Sequence, residues 1–200
     1  ISPKSEYHSP KAKPLAYDPK KARQLLKEAG WIETGSDGIL VKKGERFEFE
    51  ALIAPSFEKV FTRYQEDLKK AGIKLNIRMV DFATGIKLVD DRQFDARLGA
   101  WTRDVNPSDY GMAWGSSQAD IKGSANHSGY KNPEVDELAQ KIDETFDKKA
   151  RIKLVQRLDE IIARDQPYAF TWEVTFLRIG YSNKFSFPGT GYLADSGRYH

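Results

Sequence analysis

The chain has 200 residues, 40% of them hydrophobic and 30% charged, enough to bury one sizeable core and too apolar for an intrinsically disordered segment. Its 32 basic and 29 acidic residues leave a formal charge of +3, interleaved rather than striped, which argues against a nucleic-acid partner. There is no cysteine, so disulfides and thiol chemistry are excluded, and no apolar run reaches the roughly 18–20 residues of a membrane-spanning helix.

Residues 1–16 are rich in Pro, Lys and Ser without periodicity and read as an extended arm; the opening "ISPKSEYHSP" lacks the apolar core of a signal peptide. The segment "YDPKKARQLLKEAGW" predicts a helix: Asp18 caps it, Pro19 opens the first turn, Ala22, Leu25, Leu26 and Ala29 form one apolar stripe, and Gly30 stops it. "GERFEFEALIAP" alternates Phe47, Phe49 and Ala51 with charged neighbours, the period of a strand. "SFEKVFTRYQEDLKKAG" puts Phe57, Val60, Phe61, Tyr64 and Leu68 on one helical face and ends at Gly72. "IKLNIRMVD" reads as a second strand, "GIKLVDDRQ" as a helix and "FDARLGAW" as a third strand. The resulting order β-α-β-α-β favours parallel pairing in a layered α/β fold, whose ligands bind at the carboxyl ends of the strands.

The third strand runs into "GAWTRDVNPSDYGMAWGSS". Two readings of Trp101, Tyr110 and Trp114 remain open: they cap the end of the sheet as core, or they wall a binding site. Aromatic walls with one or two charges, here Arg103, Asp104 and Asp109, are the usual lining of a small-molecule or peptide pocket. Downstream, Asn132 caps a helix through "NPEVDELAQKI". "KKARIKLVQRLDEIIARDQP" carries a second stripe of Leu154, Val155, Leu158, Ile161 and Ile162 as far as Pro167. "YAFTWEVTFLRIGYS" reads as a final strand, and residues 183–200 as an irregular tail.

Catalytic signatures are missing. His8, His127 and His200 are scattered in loops, Asp90-Asp91 sits at a helix end, and there is no nucleophile elbow, P-loop, dinucleotide fingerprint or H-E-x-x-H. Neither an enzyme nor a cofactor or metal ion is expected.

Four segments, in order, resemble one family. "YDPKKARQLLKEAGW" is similar to the Y-x-P-x-x-A-x-x-L-L-x-x-A-G-[WY] segment of the family 5 extracellular solute-binding proteins, the peptide-binding subunits of ABC importers. "QFDARLGAWTRDVNP", "GSANHSGYKNPEVDELAQKI" and "RIKLVQRLDEIIARDQPYAFTW" continue the likeness, which covers residues 16–182. The resemblance implies a periplasmic-binding-protein type II-like lobe, a layered mixed sheet flanked by helices. It implies that residues 17–182 form the C-terminal ligand-binding lobe of a two-lobed protein, with residues 183–200 returning to the N-terminal lobe. The implied partners are a peptide, that N-terminal lobe and the membrane permease of the importer, with the protein a periplasmic or extracellular monomer held at the membrane through the importer. The family's ammonium-binding aspartate maps to Asp104, three residues after Trp101, although Arg103 beside it departs from the pattern and could neutralise it. Trp101, Arg103, Asp104, Asn106, Tyr110, Trp114 and Asn126 are the ligand-binding residues the resemblance points to. The alternatives are a nickel chelate, sugar or opine as cargo on the same fold, or an isolated interaction or sensor module using the aromatic loop.

Overall fold

The computed structural model describes residues 1–101, 109–173, 182 and 184. They fall into two units, one of Leu15–Ala100 and one of Ile1–Pro14 with the described residues from Trp101 onward. In the first unit, α1 (Pro19–Glu28) starts where the Asp18 carboxylate accepts the Lys21 N–H at 2.9 Å. Pro19 costs nothing there, because the first helical N–H groups have no helical acceptor.

A small antiparallel sheet follows that the sequence reading does not anticipate: β1 (Glu33–Thr34), β2 (Leu40–Lys42) and β3 (Glu45–Arg46), in that order. Its signals are the turn dipeptides Asp37-Gly38 and Lys43-Gly44; Gly38, Lys43 and Gly44 all have positive φ.

Next come β4 (Glu48–Ile53), α2 (Glu58–Lys70), β5 (Lys74–Met79), α3 (Phe82–Asp90) and β6 (Ala96–Arg97), the expected β-α-β-α-β order. β4 is the centre of a parallel sheet with order β5-β4-β6. The period of two divides its residues cleanly. Ala51, Ile53 and Leu75 form a core with Phe49, Ile77, Ala96 and, from α2, Phe61 and Leu68. Glu48 and Glu50 alternate with them and pair across the ladder with Lys74 at 2.8 Å and Arg78 at 3.4 Å. Gly72, predicted to stop α2, has φ +88, and an added Cβ would lie 2.7 Å from Leu40 Cγ, so both conformation and space require glycine.

The predicted stripes are only partly used. No residue of α1 or α2 is fully buried, and Leu25, Val60 and Tyr64 stay about half exposed, because a three-stranded sheet covers little more than Phe61 and Leu68.

The second unit is helical. It contains α4 (Tyr110–Trp114), α5 (Pro133–Glu144) and α6 (Lys148–Asp165). The Asn132 side chain accepts the Glu134 N–H at 2.9 Å and the Asp147 carboxylate the Ala150 N–H at 2.8 Å, fixing both long helix starts. Their stripes meet in one core of Val135, Leu138, Ala139, Ile142, Val155, Leu158, Ile161 and Ile162, joined by Tyr110 and Trp114.

Residues 1–14 differ from the expected extended arm. They form a run of turns in which Tyr7, Ser9 and Ala12 are buried, and Tyr7 joins the helical core. The anchor is Asp159 on α6, which is buried and takes the Ser9 N–H at 3.0 Å and the His8 Nδ1 at 2.8 Å. Short-range periodicity carries no sign of such a contact. The expected final strand is also not formed over residues 168–173, and residues 174–181 lie outside the described residues.

Candidate functional site

The helical unit gathers aromatic rings into one cluster. Trp114, at the end of α4, is buried and lies 5.2 Å from Tyr168 and 6.3 Å from Tyr130, edge to face in both cases. Trp101 sits against this base, 6.1 Å from Trp114, 6.2 Å from Tyr168 and 6.4 Å from His127. Phe170 continues the row 6.1 Å from Tyr168. These separations fall in the range where aromatic quadrupoles attract. Two rings of the cluster remain half exposed, Trp101 at 52% and Phe170 at 51%.

Local backbone chemistry builds the platform beneath. Asp109 enters α4 in the left-handed region, φ 59, and Gly115 leaves it. A Cβ on Gly115 would lie 2.3 Å from the Gly111 carbonyl oxygen, so only glycine fits. The Asn126 amide then ties the loop after α4 together: Nδ2 donates to the carbonyls of Gly115 at 3.0 Å and Tyr130 at 2.8 Å, and Oδ1 accepts the Tyr130 N–H at 3.0 Å. The Tyr130 hydroxyl in turn donates to Asp165 at 2.6 Å, beside Asn132 Nδ2 at 3.0 Å and Arg164 Nε at 2.7 Å. Hydrogen bonds from Arg164 and then Tyr130 bring the Asp165 carboxyl down to about 2. Burial, and then the bond to Asp165, pushes Tyr130 up to about 12.

The expected site residues therefore divide. Trp101 is exposed and joined to the cluster; Trp114 backs it from the interior. Tyr110 and Asn126, also expected to meet a ligand, are buried in this chain: Tyr110 packs in the helical core and Asn126 has no exposed surface. Arg103, Asp104 and Asn106 lie outside the described residues. Sequence reasoning missed His127, Tyr130, Tyr168 and Phe170 as members of the cluster. The alternating aromatics of "YAFTW" were the available signal; His127 had none, since its neighbour Trp101 is distant in sequence.

A separate groove of about 640 Å³ runs beside α4 and α5, lined by Met112, Ala139 and the acidic Asp109, Asp136, Asp143 and Glu144; of the expected site residues, the described ones Trp101, Tyr110, Trp114 and Asn126 do not line it. Among the described residues, no group of three or more His, Asp or Glu is placed to hold a metal ion, and no helix is long and apolar enough to cross a membrane.

Comparison with known proteins assigns this architecture. Residues 1–123 match the middle region of the bacterial extracellular solute-binding proteins, family 5. The oligopeptide-binding protein AppA of Bacillus subtilis is 35% identical over 161 residues, 78% of this chain and 29% of that protein. A probable peptide-binding protein, YejA of Agrobacterium fabrum, is 32% identical over 158 residues, 74% of this chain and 26% of its own. The structure of AppA in complex with a nonapeptide superposes with a TM-score of 0.75 at 33% identity, covering 84% of this chain and 34% of that one. An oligopeptide-binding protein of Thermus thermophilus complexed with a pentapeptide gives a TM-score of 0.70 at 28% identity, covering 84% and 31%. The chain thus spans under a third of the length of these curated relatives. Its fold is that of the periplasmic oligopeptide-binding proteins, a class of solute-binding transport proteins found outside the cytoplasm. On the profile match and the shared fold together, this chain belongs to the bacterial extracellular solute-binding proteins, family 5.

Proposed function

We propose that this chain is the C-terminal lobe, residues 17–182, of the receptor of an ABC importer, and that it captures peptides without chemical turnover. A peptide lies between this lobe and an N-terminal lobe of the same protein, the lobes close on it by a hinge motion, and the closed monomer delivers it to the membrane permease. Residues 183–200 return to the N-terminal lobe, and the receptor works in the periplasm or at the cell exterior, held at the membrane through the importer.

The observation that carries the reading is the aromatic cluster around Trp101. It presents half-exposed rings over a rigid base in a chain similar to a protein whose structure holds a nonapeptide. Trp101 is a wall of the cleft, with Trp114 behind it. Asp104 pairs with the α-ammonium of the peptide, Asn106 supplies hydrogen bonds, and Arg103 tunes the charge of the loop. A carboxylate opposite an ammonium in a closed cleft is charge-assisted, and removing one partner costs about 2–5 kcal/mol.

Calorimetry on the two-lobed protein with a di- to octapeptide pool tests the reading, with Asp104→Ala alongside. Peptide binding that collapses in Asp104→Ala is the expected result. Binding that survives the change removes the ammonium from Asp104, and no binding by any peptide removes peptides as cargo.

A further inference from the structure

Trp101 combines two properties that pull in opposite directions. It is 52% exposed, yet its ring is held from within by Trp114, His127 and Tyr168 at 6.1, 6.4 and 6.2 Å. A surface side chain that is free to turn loses rotamer freedom when a ligand stacks on it; a ring already held has little left to lose. The same neighbours fix which surface of the indole is offered outward. Tyr168 stands edge-on to both tryptophans, with interplanar angles of 87° to Trp101 and 80° to Trp114, and carries Phe170, itself 51% exposed, at 6.1 Å. The rings form a graded surface that runs from the buried Trp114 to the solvent-facing Trp101 and Phe170.

The chemistry of the surface narrows what it takes. A lysine or arginine side chain stacked there gives up part of its hydration shell, a cost that a neutral ring does not carry. A neutral ring would instead extend the offset and edge-to-face contacts already present, at centroid separations of about 4.5–7 Å. An aliphatic side chain would gain the buried area but not the quadrupole contact.

We propose that Trp101, with Tyr168 and Phe170, forms a subsite that selects peptides carrying an aromatic side chain at one position. The subsite rests on the peptide-capture reading above and adds a preference that main-chain capture alone does not supply.

The test is calorimetry on the full-length protein with matched hexapeptides that place Phe, Ala or Lys in turn at each position of an otherwise constant sequence. At one position the Phe peptide binds about tenfold tighter than the Ala peptide. In Trp101→Ala that ratio falls to near one, whatever the loss in overall affinity; Trp101→Phe keeps most of the ratio, and Phe170→Ala lowers it part way. Circular dichroism confirms that each variant is folded. Equal binding of Phe and Ala peptides, tighter binding of Lys, or a ratio that persists in Trp101→Ala overturns the subsite and leaves peptide capture standing. If no hexapeptide binds the wild-type protein, the subsite and the peptide reading fall together.

Discussion

The hydroxyl of Tyr130 donates to the carboxylate of Asp165 at 2.6 Å, joining the loop that leads into α5 to the last residue of α6. Asn132, which caps α5, bonds to both groups, so one small network sets the start of one helix against the end of the other. Because Tyr130 also stands edge-on to Trp114, the clasp supports the aromatic platform as well as the helical core.

That clasp gives stability a pH signature. The Asp165 carboxyl is brought from 3.8 to about 2 by Arg164 and Tyr130, so its contribution is fully present above the unfolded value. It is lost as pH falls from about 4 through 2. Tyr130 is raised from 10.0 to about 12, mainly by burial, so the folded state binds its proton more tightly. That contribution holds below pH 10 and disappears as pH rises toward 12. Melting temperatures of wild type and Asp165→Asn measured from pH 2 to 7 check the acid limb: the two curves converge at the acid end, with wild type higher at neutral pH. Parallel curves would show that Asp165 is no more engaged in the folded state than in the unfolded one.

Asn126 is expected to matter for folding before it matters for ligand. Asn126→Ala strands the Tyr130 N–H and two carbonyls, Gly115 and Tyr130, at a cost of about 1–3 kcal/mol. Asn126→Asp fares no better, since a carboxylate cannot donate to either carbonyl. Chemical denaturation measures both. An Asn126→Ala protein of unchanged stability but weakened peptide binding would return this residue to the cleft.

Tyr110, which is buried, and Tyr130, which is partly buried, respond in opposite ways to losing a hydroxyl. Tyr110 Oη is buried with no hydrogen-bond partner among the described residues, and burial, with Asp159 nearby, pushes its pKa up. Tyr110→Phe is therefore neutral or stabilising in thermal melts, whereas Tyr110→Ala empties a core position and costs about 3–5 kcal/mol. Tyr130→Phe breaks the clasp to Asp165 and lowers the melting temperature. A destabilised Tyr110→Phe would reveal a partner for that hydroxyl.

Apolar truncations separate used stripes from unused ones. Ile161, fully buried between α5 and α6, loses about 2–5 kcal/mol on change to alanine. Val60, 48% exposed on α2, loses about 0.5 kcal/mol or less. Comparable losses at both positions would mean that α2 packs against a surface in the intact protein.

Local chemistry alone determined a good deal of this protein. The cap pairs Asp18-Pro19 and Asn132-Pro133 set helix starts, Gly30 and Gly72 set helix ends, the alternation through Phe47, Phe49 and Ala51 marked a strand, and the β-α-β-α-β order its parallel pairing. These signals are legible because capping, φ preference and pleat act within a few residues. The resemblance that led to the family rests on the same short segments. Burial was another matter: apolar stripes on α1 and α5 look alike in the sequence, yet only the stripe on α5 found a partner helix to cover it. Likewise the hydrogen-bond hub at Asn126 had no signal in the sequence, residues 1–16 read as an extended arm while Ser9 within them folds onto Asp159, and His127 read as a stray loop histidine and came to rest against Trp101. Each outcome depended on groups distant along the chain, and only the tertiary structure brings such groups within reach.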